Sequence, residues 1–136
     1  MTAYLVFDAM RAGKLDANAN VAVTDTVMRA GGARMFVAPG KPVTVMQLVR
    51  GMIVQSANDA CIALAEAVAG TEEAFAQLMT REAQRLGMKS TNFVNATGLP
   101  HSQHYSTAQD LALLAAAVVR DFPEYYPLYS TKEYRY

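Results

Sequence analysis

The chain has 136 residues, 52% of them apolar and 18% charged, with twelve basic side chains against twelve acidic ones and a formal net charge of zero. That composition describes one globular domain and excludes intrinsic disorder, and the scattered, balanced basic residues exclude a nucleic-acid partner, whose phosphates need a cationic excess. The longest apolar stretches, such as Leu111 to Val119, fall short of the ~20 residues that span a bilayer, and Cys61, the one cysteine, reads as a small buried hydrophobe.

In chain order, Met1 to Met10 is apolar almost all round and stops at Gly13, which predicts a central first helix. Leu15 to Pro42, punctuated by Gly31-Gly32 and Pro39-Gly40-Lys41-Pro42, reads as extended loop with one short hairpin. Thr44 with Gln47 has capping-box spacing, and Val45, Leu48, Val49, Met52 and Ile53 repeat with helical period. Further helices are expected over Ala57 to Val68, closed by Gly70, and from Thr71, with Glu72 and Glu73 in its first turn, to Gly87. Ser90 to Val94 is expected to form a short strand, and Asn95 to Pro100 a turn. A last full helix, capped by Ser106 or Thr107, carries Leu111, Leu114, Ala115 and Val118 inward and ends before Pro123. Beyond it, Glu124 to Tyr136 holds five of the seven tyrosines and reads as a short helix followed by an extended segment.

Chemistry is concentrated in Gln55-Ser56-Ala57-Asn58-Asp59, between two patterned helices. As local structure, Ser56 and Asp59 make an N-terminal capping box. As chemistry, Ser56 and Asn58 are expected to face one cleft, a hydroxyl that relays a proton beside an amide that pairs with a peptide group. His101 and His104, spaced H-x-x-H without a third ligand nearby, read as surface loop histidines rather than metal ligands.

The S-x-N of Ser56 and Asn58 joins flanking pieces in order: Val43-Thr44-Val45, Leu48-Val49-Arg50-Gly51-Met52, Leu86-Gly87-Met88, Gly98-Leu99 and Tyr105-Ser106-Thr107-Ala108 with Asp110. The whole string resembles the serine-type D-alanyl-D-alanine carboxypeptidases, the low-molecular-mass penicillin-binding proteins. The resemblance implies a mainly α fold: the helical subdomain of the serine β-lactamase and penicillin-binding-protein architecture, residues 1–136, with most of the α/β sheet half missing. It makes Ser56 a proton-relay serine and Asn58 a substrate-positioning amide, and it puts Gly31 and Gly32 beside the cleft, although the pair reads equally well as a simple flexible turn. It implies no cofactor, the peptidoglycan stem peptide and β-lactam antibiotics as partners, and a periplasmic place peripheral to the cytoplasmic membrane.

None of Ser56, Ser90, Ser102, Ser106 and Ser130 is followed by lysine three residues on, and none of Lys14, Lys41, Lys89 and Lys132 begins a K-T-G. The expectation is a chain that begins just after its nucleophile, is inactive alone, and self-associates or swaps a helix through apolar surface uncovered along Met1 to Met10. Two other readings stand beside this one: a non-catalytic helical interaction module, and a serine β-lactamase-like hydrolase, although no glutamate here sits in E-x-x-L-N. Endopeptidase action on cross-linked peptides shares the same motifs.

Overall fold

The computed structural model describes all 136 residues. Six α-helices follow one another: α1 (Thr2–Arg11), α2 (Asp25–Met28), α3 (Val45–Gln55), α4 (Asn58–Ala69), α5 (Glu72–Arg85) and α6 (Ala108–Asp121), with a 3-10 turn at Tyr126–Ser130. No sheet forms; extended backbone pairs only at the isolated bridges Asn20 to Thr44 and Asn92 to Tyr105.

Helix α4 is the centre, with α1, α2, α3 and α5 packed against it. Its residues Ala60, Ala63, Leu64 and Ala65 are completely buried, and the run of small side chains lets its neighbours approach closely. Helix α1 presses Val6 and Phe7 into the same core. Phe7 stacks on Tyr125 at 4.4 Å, and Tyr4 meets Phe122 edge-on at 5.0 Å, which fixes the chain end against α1.

Helix starts follow their local signals. The Thr44 hydroxyl accepts from Gln47 N while the Gln47 side chain accepts from Thr44 N, completing the capping box. Thr71 and Thr107 cap α5 and α6 by accepting from Ala74 N and Asp110 N, without the reciprocal half of a box. Ser106, the other candidate cap, instead shares a 2.8 Å hydrogen bond with Thr91. The Asp110 carboxylate accepts from Ser90 N and Thr91 Oγ1, tying α6 to the preceding loop.

Four expectations are corrected. The 15–42 segment contains no hairpin; it folds the short helix α2 and pairs with Thr44 through one bridge, because Thr24 caps a helical turn there. The 90–94 strand reduces to a single bridge, since only Asn92 finds a partner strand residue. On α6, Leu111 and Ala115 face outward while Leu114 and Ala117 face the core; apolar residues on several faces of that helix leave its period ambiguous. The uncovered apolar surface therefore lies not along α1, whose Tyr4, Val6, Phe7 and Ala9 are buried, but on α6 with Leu111, Leu113 and Val119 exposed. No helix is long and apolar enough to cross a membrane.

Candidate active site

The junction between α3 and α4 builds the site. Helix α3 ends at Gln55, and Ser56 turns into the left-handed region at φ 55°, ψ 35°. The Gly51 carbonyl receives both the Ser56 and the Ala57 N–H, which closes the helix and holds that turn. A left-handed conformation costs a side-chain-bearing residue about 1–2 kcal/mol, and here it leaves Ser56 exposed on the wall of a cleft. Ala57, not Ser56, is the N-cap of α4, with no side-chain capping bond. The Ser56–Asp59 capping box therefore does not form, because the Asp59 carboxylate is engaged elsewhere.

That engagement anchors the 31–37 loop. Asp59, 2% exposed, accepts from Met35 N at 3.0 Å and Val37 N at 3.2 Å, as well as from Ala60 N. Between those two donors, Phe36 adopts φ 61° and projects its ring into solvent. Asn58 fixes the start of the same loop, its backbone N–H donating to Ala33 O at 2.8 Å and its Nδ2 to Gly31 O at 2.7 Å. Gly32 packs so closely that an added Cβ would lie 2.7 Å from Asn58 Nδ2. With Nδ2 committed to Gly31, Asn58 Oδ1 is the acceptor this amide has left for a ligand.

Ser56 and Asn58 line one cleft of about 320 Å³, together with Thr97, Gly98 and His104 from the 92–105 loop and Cys61 from α4. Thr2 closes its floor, its hydroxyl donating to Ala96 O at 2.7 Å and so tying α1 to that loop. Burial pushes the Cys61 thiol up to about 12, ahead of the opposing pull of the Met1 amine. His104 is half-buried, its pKa lowered first by burial and then by His101. Three histidine, cysteine or carboxylate side chains nowhere gather as a metal site would require.

The predicted pair is thus brought to one cleft, whereas the two glycines pack against the Asn58 side chain without lining it. Sequence reasoning missed Asp59 as the clasp of the 31–37 loop and His104 as a wall of the cleft. Asp59 carries no local signal for this, since its partners lie 22 and 24 residues away; His104 read as a surface loop histidine, whereas the fold half-buries it on the cleft.

A helical unit whose S-x-N junction forms one wall of a cleft is the helical subdomain of the penicillin-binding-protein fold, and solved structures match it closely. Penicillin-binding protein 5 from Haemophilus influenzae superposes with a TM-score of 0.95 at 36% identity, over 99% of this chain and 40% of that one. The carboxypeptidase DacD from Francisella tularensis gives 0.91 at 43% identity, over 94% and 31%. A sequence model described as D-alanyl-D-alanine carboxypeptidase matches residues 1–136, and the chain belongs to that family. Among curated relatives, DacC and DacA of Escherichia coli K12 are 41% and 39% identical across all of this chain. The chain spans about a third of their length, 36% and 35%.

Proposed function

We propose that this chain is the helical part of a serine D-alanyl-D-alanine carboxypeptidase that removes the terminal D-alanine from peptidoglycan stem peptides. The carrying observation is the placement of Ser56 and Asn58 across the α3–α4 junction on one cleft wall. In the reaction, a serine of S-x-x-K attacks the carbonyl of the penultimate D-alanine and the lysine of that motif takes its proton. Ser56 passes a proton to the departing amine as the C–N bond breaks, and Asn58 Oδ1 accepts from the substrate amide, turned that way because Gly31 occupies its Nδ2. Water then resolves the acyl-enzyme. Neither S-x-x-K nor K-T-G occurs in these residues, so the chain alone is inactive, since a nucleophile and its base act as a unit.

The same serine chemistry makes the longer protein a target of β-lactams. Support comes from a relative in fold, penicillin-binding protein D2 of Listeria monocytogenes in an ampicillin-bound form, with a TM-score of 0.77 at 31% identity. The same proposal puts the longer protein in the periplasm, peripheral to the cytoplasmic membrane. A free-standing interaction module leaves the match over all 136 residues without a reason.

Intact-mass spectrometry after incubation with benzylpenicillin tests the reading on this chain and on a longer product of the same gene that includes S-x-x-K and K-T-G. The expected result is a penicilloyl adduct on the longer product only. An adduct on neither overturns the carboxypeptidase reading, and one on the short chain overturns its inactivity.

A further inference from the structure

The 92–105 loop folds back on itself beside the cleft. Asn92 and Tyr105 exchange both backbone hydrogen bonds, at 2.9 and 3.1 Å. Two residues further along, Val94 N donates to His104 Nδ1 at 3.1 Å. The imidazole is steadied by the Phe93 ring, edge-on with centroids 5.5 Å apart and an interplanar angle of 69°.

An Nδ1 that accepts a hydrogen bond carries no proton, so the neutral ring bears its proton on Nε2. No protein group takes that Nε2–H, while His104 lines the cleft shared by Ser56 and Asn58. A peptide group has one donor and one acceptor. The cleft wall offers Asn58 Oδ1 for the donor, and His104 is a fixed donor available for an acceptor.

We infer that His104 is a substrate-contacting residue whose Nε2–H donates to a carbonyl oxygen of the peptide held in this cleft. The inference rests on the carboxypeptidase reading and extends it by one contact. Burial keeps the ring neutral, and His101 on the same loop works in the same direction. The other titratable groups on the cleft walls are the Cys61 thiol, the Tyr129 phenol and the Met1 amine of this chain. Protonation would set an Nδ1–H against the Val94 N–H, so acid breaks the clasp and misplaces the donor.

Steady-state release of D-alanine from an acylated L-Lys-D-Ala-D-Ala tripeptide, measured against pH on the longer gene product, tests this. His104→Asn places an amide oxygen where Nδ1 was, keeping the Val94 clasp, and puts nothing at Nε2. Its expected signature is a KM raised about three- to tenfold, the worth of one neutral hydrogen bond, with kcat and Tm unchanged. The fall of kcat/KM below the ordinary imidazole range, expected of the unmodified enzyme, disappears in this variant. His104→Gln, which carries an amide N–H₂ outward but offers Val94 N no acceptor, recovers only part of the KM. A His104→Asn enzyme with the parent's KM and acid limb overturns the contact alone. A Tm that falls together with kcat reduces His104 to a loop clasp and also overturns it. If the unmodified enzyme releases no D-alanine, the carboxypeptidase reading fails and the contact goes with it.

Discussion

Asp59 does more for the site than its place beside Ser56 and Asn58 suggests. Its carboxylate is buried and accepts three backbone N–H groups, two of them from the 31–37 loop against which Asn58 also packs. Hydrogen bonds to a charged acceptor are worth about 1.5–3 kcal/mol each, and a buried N–H left without one is costly. Asp59→Ala is therefore expected to lower unfolding stability by about 2–4 kcal/mol in urea, whereas Asp59→Asn, which keeps one acceptor oxygen, loses less. Equal midpoints for Asp59→Ala and the parent would show that the clasp holds nothing. Cys61 makes a second case at this scale. Its thiol is raised from 9.0 to about 12, chiefly by burial. A folded value above the unfolded one means the stabilisation is complete below pH 9 and is lost as pH rises toward 12. The urea midpoint is expected to fall over that interval more steeply in the parent than in Cys61→Ala. At pH 8 iodoacetamide should label Cys61 only in proportion to the unfolded fraction, because the thiolate is the nucleophile; rapid labelling of the native chain contradicts this.

At the scale of elements, helix starts depend on one side chain each. Thr44→Ala removes half of the capping box and exposes the Gln47 N–H, so a loss of about 1 kcal/mol is expected in thermal or urea unfolding. A change within error would mean that the Asn20 bridge to Thr44 carries the end of α3 unaided. These caps were legible because donor and acceptor lie three residues apart, within reach of a local rule. The same rule misread Ser56 and Asp59. Their spacing fits a cap, yet Ser56 lies in a left-handed turn held by the Gly51 carbonyl, and Asp59 is drawn off by Met35 and Val37. Long-range partners likewise decided the 90–94 segment, where strand-like residues have only Tyr105 to pair with. The pair at the cleft was legible through its order among family pieces, whereas the orientation of the Asn58 amide, set by Gly31, exists only in three dimensions.

At the scale of the whole molecule, the outer stripe of α6 governs behaviour in solution. Leu111, Ala115 and Val119 join Met1, Tyr126 and Tyr129 around a groove of about 380 Å³ lined entirely by apolar residues. Exposed apolar area of this kind is favourable to bury, and a formal net charge of zero at pH 7 supplies no long-range repulsion between copies. The simplest closed arrangement sets two such faces together about a two-fold axis. The 136-residue chain is therefore expected to sediment as a dimer at high concentration and to dissociate on dilution. Leu111 is 51% and Val119 43% exposed, so Leu111→Ser with Val119→Ser should shift the equilibrium to monomer while leaving the monomer's own unfolding midpoint nearly unchanged. A parent chain that stays monomeric at every concentration removes this face as a contact between copies. A double variant that still dimerises moves the contact to another surface, because the two substitutions disrupt only the α6 stripe.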